Sequence, residues 1–236
     1  MEKSYNVCGL KVRADFRHDF MTSRSEKYLC ADNTADILIP YNEARINSLM
    51  ERGCASIHSA ENIVTADAFY TALLGFDGFM LHSSAVAVDG KAYLFSAPSG
   101  TGKSTHTGQW LKLFGERAQI INDDKPALRF IGDEVIAYGT PWSGKSDLNL
   151  NIGIPVGGIC VLERSETNFI ELLDEATAVY SILNQTIRPS RPELMSCLLE
   201  YVDRLIRTVP IWRMGCNIST EAAQIAYDAM SKRIKP

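Results

Sequence analysis

No CxxC pair occurs in this 236-residue sequence; Cys8, Cys30, Cys54, Cys160, Cys197 and Cys216 lie far apart. That excludes a zinc knuckle or a dithiol redox motif of the usual spacing. Cys160, inside the apolar run GGICVL, reads as a buried reduced thiol. Basic residues are scattered too: 24 Lys and Arg against 28 Asp and Glu leave a net charge of −4 and no basic stripe, which argues against a nucleic-acid partner. No apolar run approaches the length of a membrane span, and the opening MEKSYNVCGLKVRADF has no apolar core of the signal-peptide kind. The expectation is a protein of a reducing cytoplasm, without membrane or nucleic-acid partners. Internal repeats and low-complexity runs are absent as well.

Apolar residues make up 46% of the chain, enough for a large buried core. From residue 4 to about 40 the runs YNVCGLKVRADF, KYLCAD and ADILIP predict strands. TADAFYTALLGF, 65–76, has helical spacing, with Thr65 or Asp67 as its cap. GFMLHSSAVAVDGKAYLFSA predicts one hairpin around the Asp89-Gly90 turn, and PALRFIGDEVIAYGTP a second with Gly132-Asp133 at its tip. AQIIN, GGICVLER, NFIELLD and PIWRMGCNI read as further strands. Helices are predicted for KSTHTGQWLKLF, closed by Gly115, for EATAVYSILNQTI, for RPELMSCLLEYVDRLIRTV with Pro192 near its start, and for TEAAQIAYDAMSKR capped by Thr220. The fold class is α/β: a mixed sheet built from β-hairpins and flanked by helices. Residues 1–64 read as a strand-rich extension packed on a core of residues 65–236, or the whole as one continuous domain. A homo-oligomer is left open.

The stretch SAPSGTGKST, 96–105, follows the strand KAYLFS and opens a helix. Strand, glycine loop and helix together are the context that turns such a pattern into a phosphate site of the Walker A type. Ala97 stands where that pattern has its first glycine, and a small residue suffices there. Gly100 and Gly102 let the loop turn its N–H groups inward. Lys103 is placed for the β- and γ-phosphates and Ser104 for Mg²⁺. Ser99, Gly100, Thr101, Gly102, Lys103, Ser104 and Thr105 are thus the candidate nucleotide-binding residues, with ATP and Mg²⁺ as cofactors. Phosphoryl transfer also needs carboxylates near the metal and the nucleophile. Asp123 and Asp124 end the buried run IINDD, and in a parallel strand beside the loop strand they would stand near Ser104. One would serve the metal and the other the acceptor hydroxyl.

LHSSAVAVDGKAYLFSAPSGTGKST followed by INDD resembles the catalytic domain of the HPr kinase/phosphorylase family, within the group that has the phosphoenolpyruvate carboxykinase type of nucleotide site. The resemblance is firmest over residues 79–163. It implies that family's P-loop fold, Mg²⁺ ligation by Ser104 and Asp123, activation of the acceptor hydroxyl by Asp124, and His82 close to Asp124. Without it, His82 is an alternating residue of a half-buried strand. The sequence departs from the family in lacking a long N-terminal domain and in reading YGTPWSGKSDLNLN after the acids, where the larger enzymes carry a Glu-Arg-Gly segment. It looks like the small HPr-kinase-like proteins, some of which phosphorylate serine on ribosomal peptide precursors.

Three further expectations concern this neighbourhood. Lys125 and Lys145 are candidates for contacting the transferring phosphate or the acceptor, with Arg129 as a further cation. Trp142 offers a flat apolar surface in an irregular loop, or simply packs. His106 sits on a helix face and would lie over the nucleotide. The expected activity is kinase-type transfer of the γ-phosphate to a hydroxyl, serine first, of a protein, peptide or small molecule. The alternatives are a P-loop NTPase switch, whose acceptor is water, and a nucleotide-binding regulator without turnover.

Overall fold

In the computed structural model, which describes residues 2–32 and 34–232, the N-terminal stretch builds a small sheet of its own. Strands β1 (Lys3–Val7), β2 (Leu10–Ala14) and β3 (Ile37–Ile39) bury alternate side chains, the mark of a sheet with one covered face. Two helices that the strand pattern did not show accompany them, α1 (Asp19–Ser25) and α2 (Glu43–Glu51). The helix expected over 65–76 begins much earlier, as α3 (Ile57–Leu73), and its cap is Ser56. Thr65 lies in mid-helix and returns its hydroxyl to the Glu61 carbonyl, a side-chain bond that a helix interior accommodates. Ala66, Phe69, Tyr70 and Leu73 on the buried face of α3 share one core with Tyr5, Val12, Met21 and Tyr28 of the N-terminal region and with Trp142.

The main sheet, with nine strands among the described residues, comprises β4 (Gly78–Met80), β5 (Ser83–Val88), β6 (Lys91–Ser96), β7 (Ala118–Asp124), β8 (Ala127–Ile131), β9 (Glu134–Tyr138), β10 (Gly153–Arg164), β11 (Phe169–Leu172) and β12 (Ile211–Cys216). Their order is β4-β8-β9-β10-β6-β5-β7, with β12 on β10 and β11 on β12. The long β10 joins the halves: Gly153–Pro155 pairs antiparallel with β9, and the remainder runs parallel with β6 and β12. The first expected hairpin divides at Leu81-His82. Its early part, β4, pairs with β8, and only β5 and β6 close around Asp89-Gly90.

Helices cover both faces. On β5 and β6, Ala85, Ala87, Ala92 and Leu94 face α5 (Glu175–Leu183) and α6 (Pro192–Thr208), in a core with Ala178, Ile182, Leu198 and Val202. The alternating Val86, Val88, Tyr93 and Phe95 face α4 (Lys103–Phe114) and α7 (Thr220–Met230), in a core with Trp110, Ala222 and Ala226. The period-two pattern of a strand thus feeds two separate cores. Pro192 occupies the first turn of α6, where its missing N–H costs nothing. Gly115 closes α4 as expected. The cap of α7 is Ser219, one residue before Thr220, and the expected last residue of that helix, Arg233, lies outside the described residues.

Candidate active site

The acids do not lie on a strand next to the loop strand. β5 intervenes, antiparallel to β6 on one side and to β7 on the other, so β6 and β7 run the same way with one strand between them. Ser83 pairs with Ser96 across one edge and with Asp124 across the other. His82, the residue before β5, therefore stands between the glycine loop and the acids. Because β10 and β12 run parallel to β6, their carboxyl ends reach the same sheet edge. Ligands of open α/β sheets bind at such edges.

At the end of β6 the loop takes the backbone angles that its glycines allow: φ is 79° at Gly100 and 123° at Gly102. The helix α4 starts at Lys103, so the open N–H groups of its first turn lie directly behind the loop. Ala97 is buried, and its carbonyl accepts from Lys103 Nζ at 3.0 Å. The Arg164 guanidinium, at the end of β10, engages the loop's outer oxygens, donating to Thr101 O at 3.2 Å and to Gly100 O. Lys103 is 9% exposed, and burial pushes its ammonium below the ordinary lysine value while the charges of Asp124 and Asp123 oppose that shift. A cation held this dry exerts its charge over a few ångströms with little screening.

A cavity of about 580 Å³ opens in front of these groups, lined by His82, Ser99, Gly100, Gly102, Lys103, Ser104, Thr105, Asp123, Asp124, Gly144, Lys145 and Ser146. Of the sequence-predicted residues, Thr101 faces a second cavity across the loop, and Lys125 reaches the site only through Asp124.

The two acids have different surroundings. Asp123 is buried; its Oδ2 accepts from Ser146 Oγ at 2.8 Å, and its Oδ1 has no hydrogen-bond partner among the described residues. An orphaned carboxylate oxygen in the same cavity as the exposed Ser104 suits a hard divalent cation, which takes oxygen ligands. Among the described residues no group of three or more His, Cys, Asp and Glu gathers to hold a metal. Asp124 is fully partnered: His82 Nε2 stands 3.2 Å from Oδ1, and Lys125 Nζ meets Oδ2. Burial alone would raise its carboxyl, but the His82 hydrogen bond and the Lys125 charge outweigh burial and hold it at about 2.

The loop after β9 roofs the acids. Gly144 has φ 69°, and a Cβ there would come within 2.8 Å of Asp124 Cβ and 3.0 Å of Asp123 O. The N-terminal region braces this roof: Tyr28 Oη donates to Asn149 Oδ1 at 2.7 Å, Asn149 Nδ2 donates to Ser143 Oγ at 2.7 Å, and Arg24 Nε lies 3.4 Å from Asp147.

Of the neighbouring expectations, Trp142 follows its packing alternative and the cationic role of Arg129 is corrected. Trp142 is packed, stacked 4.7 Å from Phe69 with its Nε1 donating to Thr65 Oγ1 at 3.1 Å, so it presents no open face. Arg129 donates to the carbonyls of Phe76 and Cys8, away from the cavity. His106 is 3% exposed among Phe95 and Trp110, where burial pushes it down to about 4 and leaves the ring neutral at pH 7, and it lines the second cavity beside the loop.

Arg164, Ser146, Gly144 and Gln185 were missed as site residues. Arg164 had a signal, a charge ending the apolar strand GGICVLER. Gly144 and Ser146 stood in the flagged loop. Gln185, whose Oε1 lies 2.9 Å from His82 Nδ1, is 103 residues away in sequence and had none.

No family model and no curated protein matches this sequence. Among solved structures it is similar to the HPr(Ser) kinase/phosphatase from Coxiella burnetii, at 12% identity and a TM-score of 0.36, over 64% of this chain and 95% of that one. Among the described residues no helix is long and apolar enough to cross a membrane.

Proposed function

We propose that this chain is a phosphotransferase that moves the γ-phosphate of a nucleoside triphosphate, ATP first, onto a hydroxyl, with serine as the acceptor class. The observation that carries this reading is the meeting, in one cavity, of the glycine loop with a carboxylate backed by histidine. A second cavity of about 590 Å³ on the other side of the same loop, lined in part by Leu162, Cys216 and Ile218, gives a nucleoside somewhere to lie. Pyrophosphate would leave it unused.

In this reading the loop and the first turn of α4 receive the phosphates through N–H groups, and Lys103 adds a desolvated positive charge. Ser104 and Asp123 would hold Mg²⁺, whose charge would offset that of the phosphates. Asp124 remains a carboxylate at neutral pH and accepts the hydrogen bond of the incoming hydroxyl. A group held at about 2 is a weak base, so its work is to aim the hydroxyl oxygen and to accept its proton late, as the new P–O bond forms and the bond to the departing nucleoside diphosphate breaks. A loose transition state asks for little more. Lys145, on the cavity wall, meets the transferring phosphate or an acidic acceptor.

A switch NTPase or a silent regulator has no use for a histidine-backed carboxylate. The test is ADP release from Mg²⁺-ATP with and without serine-containing peptides and small hydroxyl compounds. Acceptor-dependent release, with ³²P recovered on the acceptor, is expected. Turnover that ignores every acceptor points to the switch, and binding without turnover to the regulator.

A further inference from the structure

His82 is held from both sides. Its main-chain N–H donates to the Gln185 carbonyl at 2.7 Å, and its own carbonyl accepts from Ser96 Oγ at 2.9 Å. Those two bonds fix the backbone, yet an imidazole on a fixed backbone still has two ring orientations of similar cost. Which nitrogen faces Asp124 is decided by what the other nitrogen meets. Here the other nitrogen, Nδ1, meets Gln185 Oε1 at 2.9 Å. Gln185 is itself anchored: its N–H donates to Ile182 O at 2.9 Å, and Ile182 is fully buried under the sheet.

We infer that Gln185 is a positioning residue for the candidate active site, holding the His82 ring so that Nε2 and its proton point at Asp124. The inference rests on the phosphotransferase reading for its consequence in catalysis, though not for the placement of the ring. An amide suits the task because it has both an acceptor and a donor end. Its oxygen accepts from Nδ1–H when the ring carries two protons. After rotating by half a turn, its NH₂ donates to bare Nδ1 when Nε2 alone is protonated. In either state Nε2–H remains on the Asp124 carboxylate. An apolar side chain offers neither end, so Nδ1 loses its partner and the ring is held from the Asp124 side alone.

The test uses the full chain with Gln185→Met, close in size without the amide, and Gln185→Glu, which keeps an oxygen for Nδ1–H. The backbone bond from His82 to residue 185 survives both. With ¹⁵N-labelled histidine, only four residues contribute ring signals, and His82→Ala identifies the one in question. A slowly exchanging His82 Nε2–H resonance is expected in wild type and in Gln185→Glu, and its loss in Gln185→Met. In the transfer assay, Gln185→Met should keep the KM for nucleotide and lower kcat by about 10²-fold, the cost of a misaimed group. Gln185→Glu should recover most of that loss. A Gln185→Met protein that melts with wild type and keeps the Nε2–H resonance overturns the inference, whatever its kcat. Absence of transfer in wild type, with the resonance lost in Gln185→Met as expected, retires the phosphotransferase reading and leaves Gln185 as the residue that holds the ring.

Discussion

His82 Nε2 stands 3.2 Å from Asp124 Oδ1, and His82 directly precedes Ser83, the residue paired with Asp124 across β5 and β7. The contact therefore depends on strand register, since Ser83 opposite Asp124 sets the preceding residue against that carboxylate. His82→Ala should keep nucleotide affinity and the melting temperature while lowering transfer by roughly 10²-fold or more. Isothermal titration and the transfer assay on one preparation decide it. Loss of affinity together with rate would assign His82 to binding instead.

The unlike surroundings of Asp123 and Asp124 lead to unlike defects. Asp123→Asn replaces an orphaned carboxylate oxygen and should weaken Mg²⁺-ATP binding. Asp124→Asn should bind Mg²⁺-ATP as wild type does and turn over about 10²–10⁴-fold more slowly. Titrations showing the reverse would exchange the roles.

Asp124 also links folding to pH. Its ordinary value of 3.8 falls to about 2 in the folded protein, so the unfolded chain binds the proton more tightly. The resulting stabilisation is complete above about pH 4 and disappears as pH falls toward 2. It is worth on the order of 2 kcal/mol. The stability difference between wild type and Asp124→Asn, from urea melts followed by tryptophan fluorescence, should shrink by about that amount across this interval. A difference that does not change with pH would show that His82 and Lys125 do not hold the carboxyl down.

Lys103 is costly to bury without a bound anion, because its ammonium is dry and, among the described residues, its one hydrogen bond goes to the Ala97 carbonyl. Lys103→Met should therefore melt no lower than wild type while losing nucleotide binding. A destabilised variant that still binds nucleotide would mean that the lysine serves the fold.

Gly144→Ala puts a methyl group 2.8 Å from Asp124 Cβ at a residue with φ 69°. The roof must shift, at a cost of about 1–2 kcal/mol for the backbone strain. Turnover should fall further than stability implies, because Ser146 loses its place on Asp123. Normal kcat in a well-folded Gly144→Ala protein would show that the roof does not position the acids.

Much of the fold was legible because its causes are local. Asp89-Gly90 and Gly132-Asp133 turn their hairpins, Gly115 ends α4 and Pro192 starts α6, each through backbone angles or a missing donor that the residue type itself imposes. The same holds for the glycine loop, whose strand, loop and helix follow one another directly in sequence. α1 and α2 were not legible, and the start of α3 was missed because Ser56 caps a helix whose apolar residues run all around it. The acids were assigned to the correct sheet edge but to the wrong neighbour. A strand's amino acids record which faces are buried, and they do not say which strand lies alongside. That β5 separates loop from acids, that Asn149 is braced from Tyr28, and that Gln185 grips His82 across 103 residues are consequences of sheet order and helix packing. The residue types of the candidate site were written in the sequence; the partners that hold them were chosen by the tertiary structure, because only closure of the chain brings distant donors and acceptors within hydrogen-bond reach.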